Sequence, residues 1–200
     1  MSIVYTVGDG LYINLTNRCT ADCDFCVRNF SGAVGDADTL WLDAEPSAEQ
    51  VLAEISGRAL EDASEIVFCG FGEPTLRLGV LLDVARALKE RRPGARVRVN
   101  TNGHASLIHG GDVTPRLSGL IDALSVSLNF PDAESYNKHC RPAFGLGAHA
   151  AVIDFASRAK QYVPEVTLTV LDTLGADETE ACRAAARRLG VGFRIRHEMR

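Results

Sequence analysis

Ile66-Val67-Phe68-Cys69-Gly70-Phe71-Gly72-Glu73-Pro74 is an apolar run that breaks into a glycine-rich turn carrying one carboxylate, and Leu78, Leu81, Leu82, Ala85 and Leu88 then recur on one helical face until Pro93-Gly94. A short apolar run followed by a 3.6-residue period predicts a strand feeding a helix. The pattern repeats in both directions. Downstream, Arg96 to Val99 reads as a strand ending in Asn100-Thr101-Asn102-Gly103, a short helical segment lies between Thr114 and Leu120, and Ile121 to Leu128 is the next strand. A helix from about Gly147 to Tyr162 presents Val152, Phe155, Ala156 and Ala159 and ends at Pro164. Val166 to Leu171 and Phe193 to Arg196 are the last strands, separated by a helix from Asp177 to Leu189 that Gly190 stops. Upstream, Ser47 can cap a helix in which Val51, Leu52, Ile55 and Ala59 recur, and Ile3 to Val7 and Leu11 to Leu15 flank the hairpin turn Gly8-Asp9-Gly10.

Six strand-then-helix units argue for an α/β fold with a mostly parallel sheet and helices outside. Right-handed crossovers curl such units into a partial (β/α)6 barrel of TIM type, here extended by an N-terminal β-hairpin. A flat, doubly wound sheet is the alternative. The 200 residues, 46% of them hydrophobic, suffice for one domain over 1–200. A net charge of -5 makes no case for nonspecific nucleic-acid binding. No stretch approaches a membrane span, and the start, Met1 to Gly10, lacks the basic head and long apolar core of a signal peptide. The six cysteines therefore point to a reducing cytoplasm, where clustered thiols are metal ligands more often than disulfides.

Cys19, Cys23 and Cys26 form a C-x3-C-x2-C triplet directly after the apolar segment Leu11 to Leu15. Three thiolates suit an iron-sulfur cubane that keeps one iron open to an exchangeable ligand. A zinc knuckle would need a fourth ligand at paired spacing, and no such pair follows. In a barrel of parallel strands ligands gather at the C-terminal ends. The cysteine loop, Gly70 to Pro74, Asn100 to Gly103, and Ser125, Ser127 and Asn129 all fall at such ends. On strand alternation the last three share one face.

The triplet, with Phe25 before its last cysteine, together with Gly70-Phe71-Gly72-Glu73-Pro74, resembles the radical S-adenosylmethionine (SAM) superfamily; Phe71 makes the second motif a variant of Gly-Gly-Glu-Pro. Asn14 to Cys19, Val34 to Leu42, Cys69 to Thr75, Ser127 to Asn129, Tyr136 and Cys140-Arg141-Pro142 look like the TatD family-associated radical SAM proteins. The resemblance implies a [4Fe-4S] cluster on Cys19, Cys23 and Cys26, with SAM chelating the open iron and reductively cleaved to a radical that abstracts a substrate hydrogen. It implies SAM contacts from Phe25, from Gly70, Phe71, Gly72 and Glu73 at the amino group, and from Thr101, Asn102, Ser127 and Asn129 at the carboxylate or ribose. Thr169 or Val170 would approach adenine. A donor such as flavodoxin or ferredoxin would supply the electron. The rivals are an activating enzyme of glycyl-radical type acting on a protein partner and, outside the superfamily, an iron-sulfur electron carrier.

Other residues read more quietly. Cys69, Cys140 and Cys182 suit small buried side chains, although Cys140 and Tyr136 are the catalytic candidates, because Cys140 adjoins Arg141 in an expected loop on the active face. His104 and His139 read as surface histidines. The connection Val27 to Pro46, with the only tryptophan, Trp41, is long enough for a lid over the cluster and substrate, the alternative being that Trp41 and Leu42 pin it to the barrel. Arg183, Arg187, Arg188, Arg194, Arg196 and Arg200 concentrate positive charge. A solvated helix face is the ordinary explanation, but Arg194 and Arg196 share a strand face that could look into the barrel and receive an anionic substrate.

Overall fold

A computed structural model describes residues 1–58 and 63–198. Among these, seven strands form one sheet in sequence order: β1 (Val4–Val7), β2 (Gly10–Ile13), β3 (Ile66–Phe68), β4 (Val97–Thr101), β5 (Ala123–Ser127), β6 (Glu165–Leu171) and β7 (Gly192–Arg196). β1 and β2 pair antiparallel with Val7 opposite Gly10, and every later pair is parallel. A doubly wound sheet reverses its strand order at a switch point. No reversal occurs, and the six parallel strands make an unclosed TIM-like barrel with the hairpin on its edge.

The helices are α1 (Ala48–Ser56), α2 (Leu78–Arg91), α3 (Ala105–Ile108), α4 (Ala133–Cys140), α5 (Gly147–Ala159) and α6 (Ala176–Leu189). Local chemistry sets their ends. The Ser47 hydroxyl accepts from the Gln50 amide while the Gln50 side chain accepts from the Ser47 amide, closing a capping box on α1. Gly190 ends α6 at φ 67°, a left-handed conformation that costs glycine little. Ala59, expected on the first helix, lies outside the described residues, as does Arg200.

Two readings of the chain change. α4 was not foreseen, because only Tyr136 and Cys140 of its residues are buried and the periodic signal is faint; Asp132 caps it through the Ser135 amide. Cys140 is consequently the last residue of a helix rather than part of a loop. Among the described residues no helix follows β7, and Ile195 on its outer face is 44% exposed.

Strand alternation divides the sheet chemically. Ile66, Phe68, Val97, Val99, Leu124, Val126, Leu168 and Val170 are buried in one apolar core with α2, α5 and α6. The opposite face carries Arg98, Asn100, Ser125, Ser127, Thr167, Thr169, Arg194 and Arg196, linked by bonds such as Arg98 Nη1 to Asn100 Oδ1 at 2.8 Å. Parallel strands are usually apolar on both faces. A polar inner face marks the barrel interior as a place for ligands rather than core.

The connection from Val27 to Pro46 is strapped down instead of poised as a lid. The Asn14 amide donates to the Leu40 carbonyl at 2.7 Å, Asn17 donates to the Leu42 carbonyl at 2.7 Å, and Leu40 and Leu42 are buried. Trp41 lies edge-on against Phe71 with ring centroids 5.1 Å apart. Among the described residues no helix is long and apolar enough to cross a membrane.

Candidate active site

The cysteine loop leaves β2 and is held from behind by the end of α4. The Asp22 amide donates to the Cys140 carbonyl at 3.0 Å, the Asp24 amide to the His139 carbonyl at 3.1 Å, and the Ala143 amide to the Thr20 carbonyl at 2.8 Å. These bonds present Cys19, Cys23 and Cys26 to one cleft at the C-terminal ends of the strands, together with Phe25, Gly70, Phe71, Gly72, Glu73, Thr101, Asn102, Ser127 and Asn129. Burial, reinforced by Glu73, pushes the Cys19 thiol up to about 12. Its hydrogen bond to Cys140, and then burial, raises Cys23, and burial raises Cys26. Thiols held this way need a cation to become ligands.

Among the described residues no three histidine, cysteine, aspartate or glutamate side chains converge on one ion. A mononuclear zinc site would require that convergence. A cubane asks for one thiolate per iron, so its cysteines stand apart around a cleft, and three soft donors on one short loop fit it. The cleft also holds polar capacity still to be met: Asn129 Oδ1 and Arg196 Nε are buried without a hydrogen-bond partner, and both residues line it.

The glycine-rich turn is locked to the cysteine loop. The Glu73 amide donates to the Arg18 carbonyl at 2.8 Å. A β-carbon at Gly72 would overlap the Thr16 and Arg18 carbonyl oxygens, and one at Gly70 would overlap the Asn14 side chain, so both glycines are required by the approach of the two segments. Phe71 is accommodated because its ring is buried with Tyr5 and Leu40.

Glu73 is buried, and its Oε1 accepts from the Thr75 amide at 3.0 Å, the Thr75 hydroxyl at 2.7 Å and the Thr101 hydroxyl at 2.8 Å; its Oε2 accepts from the Asn102 amide at 2.7 Å. Burial raises the carboxyl above the usual carboxylate range, and these donors offset only part of the rise. The carboxylate thereby ties the turn after β3 to the end of β4. The Asn102 side-chain nitrogen lies 3.7 Å from Cys19 Sγ and 2.9 Å from the Thr20 hydroxyl, so it supports the cysteine loop directly.

Several expected residues are placed elsewhere. Val170 belongs to the apolar core, and Thr169, fully buried, does not line the cleft. Tyr136 and Cys140 lie behind the cysteine loop, also away from it. Cys182, by contrast, is the buried core side chain on α6 that its helical face implied. His104 is wholly buried, with Nδ1 3.0 Å from the Thr20 hydroxyl and Nε2 2.9 Å from the Tyr136 hydroxyl, and burial lowers its pKa to about 4. His139 stacks on Phe130 at 4.9 Å and pairs with Asp24 at 2.8 Å.

Asn100 lines the cleft as its strand-end position implied, and the cleft also contains residues that the pattern of the chain did not single out as its lining: Cys69, Leu171 and His197. For Cys69 the signal was there, since it continues the inner face of β3 beyond Val67. Beside the cleft, Phe25, Phe130, Leu171, Thr173 and Leu174 line a neighbouring groove, with the Phe25 and Phe130 rings 6.1 Å apart.

Comparison with known proteins bears on the same elements. A radical SAM methyltransferase from Sphaerobacter thermophilus superposes with a TM-score of 0.65 at 15% identity, over 97% of this chain and 68% of that one. SuiB of Streptococcus suis, solved with S-adenosylmethionine bound, gives 0.65 at 13% identity, and HydG, a maturase of the [FeFe]-hydrogenase, gives 0.64 at 18%. The two alignments each cover 94% of this chain, which spans 40% of SuiB and 42% of HydG. A search of curated protein sequences returned no match. The sequence matches the radical SAM superfamily over residues 13–189. The chain therefore belongs to the radical SAM superfamily, enzymes whose cofactors are a [4Fe-4S] cluster and S-adenosylmethionine.

Proposed function

We propose that Cys19, Cys23 and Cys26 hold the cluster, that SAM docks at its open iron against the Gly70 to Glu73 turn, and that the enzyme begins radical chemistry on a substrate bound in the polar barrel interior. The observation that carries this reading is the interlock of the two motifs through the Glu73 amide, the Arg18 carbonyl and the two glycines. Held by Cys19, Cys23 and Cys26, a reduced cluster would supply the single electron needed for reductive cleavage of SAM.

The chain's own residues hold and orient. Oε1 of Glu73 is occupied by three donors, whereas Oε2 accepts one and keeps a lone pair for the methionine ammonium. Thr101 and Asn102 act through Glu73 and the cysteine loop, and the Ser127 hydroxyl already accepts from Arg196, which leaves Asn129, whose Oδ1 has no partner, to meet a ribose hydroxyl. The groove of Phe25, Phe130, Leu171, Thr173 and Leu174 suits adenine better than Thr169 or Val170, because it offers aromatic and apolar faces beside the cleft. Tyr136 and Cys140 position the cysteine loop. A one-electron reductant such as flavodoxin or ferredoxin completes the system, an unpaired guanidinium in the interior favours an anionic substrate, and a protein substrate of the glycyl-radical kind is the rival within the superfamily.

Anaerobic reconstitution, reduction and addition of SAM should yield 5'-deoxyadenosine and methionine; no product from protein carrying a full four-iron cluster would refute the reading. A second reading rests on Cys69, which lines the cleft and as a fourth ligand would close the cluster into an electron carrier. On our reading Cys69→Ala keeps the cluster, and SAM changes its spectrum. Loss of the cluster in that variant, with no response of the wild type to SAM, would favour the carrier.

A further inference from the structure

Arg194 and Arg196 stand at i and i+2 on β7, on one face and about 7 Å apart along the strand. Each reaches across β6 to a serine of β5: Arg194 Nη2 donates to Ser125 Oγ at 3.0 Å, and Arg196 Nη2 to Ser127 Oγ at 3.4 Å. Strand β6 lies between β5 and β7 in the sheet, so both guanidinium groups cross it over the inner face, Arg196 half-buried and Arg194 still open to solvent.

The other guanidinium of the inner face is differently served. Arg98 pairs with Glu65, with its Nε 2.9 Å from Glu65 Oε2, and donates to Asn100. Among the described residues neither Arg194 nor Arg196 has a carboxylate partner, and the Nε of Arg196 is buried with no hydrogen bond at all. Two neighbouring cations, one of them largely removed from water, are costly without a counter-charge. The serines add to the demand. Each accepts a hydrogen bond from a guanidinium, which leaves its own O–H proton to give away.

We propose that Arg194, Arg196, Ser125 and Ser127 form a binding site for the phosphate group of a phosphomonoester substrate; this rests on the reading of the chain as a radical SAM enzyme and names its substrate class. Two guanidinium forks and two hydroxyl protons match a tetrahedral dianion, whose oxygens accept several bonds and whose charge balances both arginines. A carboxylate would leave one charge unmatched. The site is also separable from the cofactor. Arg196 lines the cysteine cleft, within reach of the charge of a bound cluster or of the SAM carboxylate, whereas Arg194 and Ser125 lie two residues nearer the N-terminal ends of their strands and do not line it. Arg194 is therefore the residue on which the assignment turns.

The test is calorimetric titration of anaerobically reconstituted protein, saturated with SAM, using inorganic phosphate, glycerol phosphate and acetate. Phosphate and glycerol phosphate should bind in the presence of SAM, acetate at least ten-fold more weakly. Arg194→Gln and Arg196→Gln should each weaken phosphate about ten-fold or more, the loss of one charge-assisted hydrogen bond. Iron content and circular dichroism report whether each variant folds; Ser125→Ala, which removes only a hydroxyl and should weaken phosphate several-fold, carries the test if an arginine variant does not. Unchanged phosphate affinity in a folded Arg194→Gln protein would overturn the proposal. So would competition between phosphate and SAM, which would give the pair to the SAM carboxylate, or acetate binding as well as phosphate. Glycerol phosphate binding ten-fold more weakly than phosphate would assign the site to the free ion and overturn the substrate class. The titration needs no turnover, so its failure is distinct from absence of 5'-deoxyadenosine in the wild type.

Discussion

His104 makes the stability of this fold depend on acid in a calculable way. Its ring is wholly buried between Thr20 of the cysteine loop and Tyr136 of α4, with one nitrogen accepting and the other donating. Burial lowers its pKa from 6.5 to about 4, so the native state keeps the ring neutral where the unfolded chain protonates it. Above pH 6.5 neither state carries the proton and the full stability is present. As the pH falls from 6.5 towards 4 the unfolded chain binds one more proton, and unfolding becomes easier by about 1.4 kcal/mol per pH unit. The loss reaches about 3 kcal/mol near pH 4, a large fraction of the 5–15 kcal/mol typical of a domain. The assay is urea unfolding of the reduced, metal-free protein between pH 4 and 8, followed by circular dichroism, for wild type and His104→Gln. Glutamine can still accept from one neighbour and donate to the other but cannot titrate. The wild type should therefore show the steeper fall, with a difference in slope of one proton. Parallel pH profiles for the two proteins would refute the reasoning, and so would a His104 pKa near 6.5 measured by NMR.

Three further substitutions probe separate links. Cys23→Ala should abolish the four-iron spectrum after reconstitution, and an intact spectrum would remove Cys23 from the ligand set. Gly72→Ala should force apart the glycine-rich turn and the cysteine loop, lowering stability by about 2 kcal/mol or more and weakening SAM binding, because its β-carbon meets two backbone oxygens that cannot rotate away. A folded variant of wild-type stability that binds SAM normally would show that the turn has room. Ser47→Ala should cost about 1 kcal/mol in urea unfolding through loss of the α1 capping box, and leave iron content unchanged.

Much of the architecture was legible because it is local. Strand and helix positions follow from runs such as Ile66 to Phe68 and the Leu78, Leu81, Leu82, Ala85, Leu88 stripe, each of which buries its own apolar face. Where that signal was faint, the reading failed: α4 buries only two side chains, so its period is weak, yet its C-terminus supports the cysteine loop. The lid expected from the length of the 27–46 connection failed for another reason. Length reports only freedom from regular structure, whereas Asn14 and Asn17, distant in sequence, decide through hydrogen bonds that the segment is strapped.

The residue types and their order were sufficient to determine the chemistry on offer: three soft thiols on one short loop, a glycine-bearing turn with one carboxylate, and a sheet of parallel strands whose ends collect them. Covalent neighbours and strand period fix such features within about ten residues of themselves. Tertiary structure alone decided what each side chain faces. It placed the Glu73 carboxylate among donors from two strand ends, buried His104 behind the cysteine loop, turned Val170 into the core, and brought Arg194 and Arg196 across β6 to Ser125 and Ser127. Contacts between residues some seventy positions apart depend on how the sheet curls, and curling comes from the packing of the whole helical layer, which no single stretch of the chain contains.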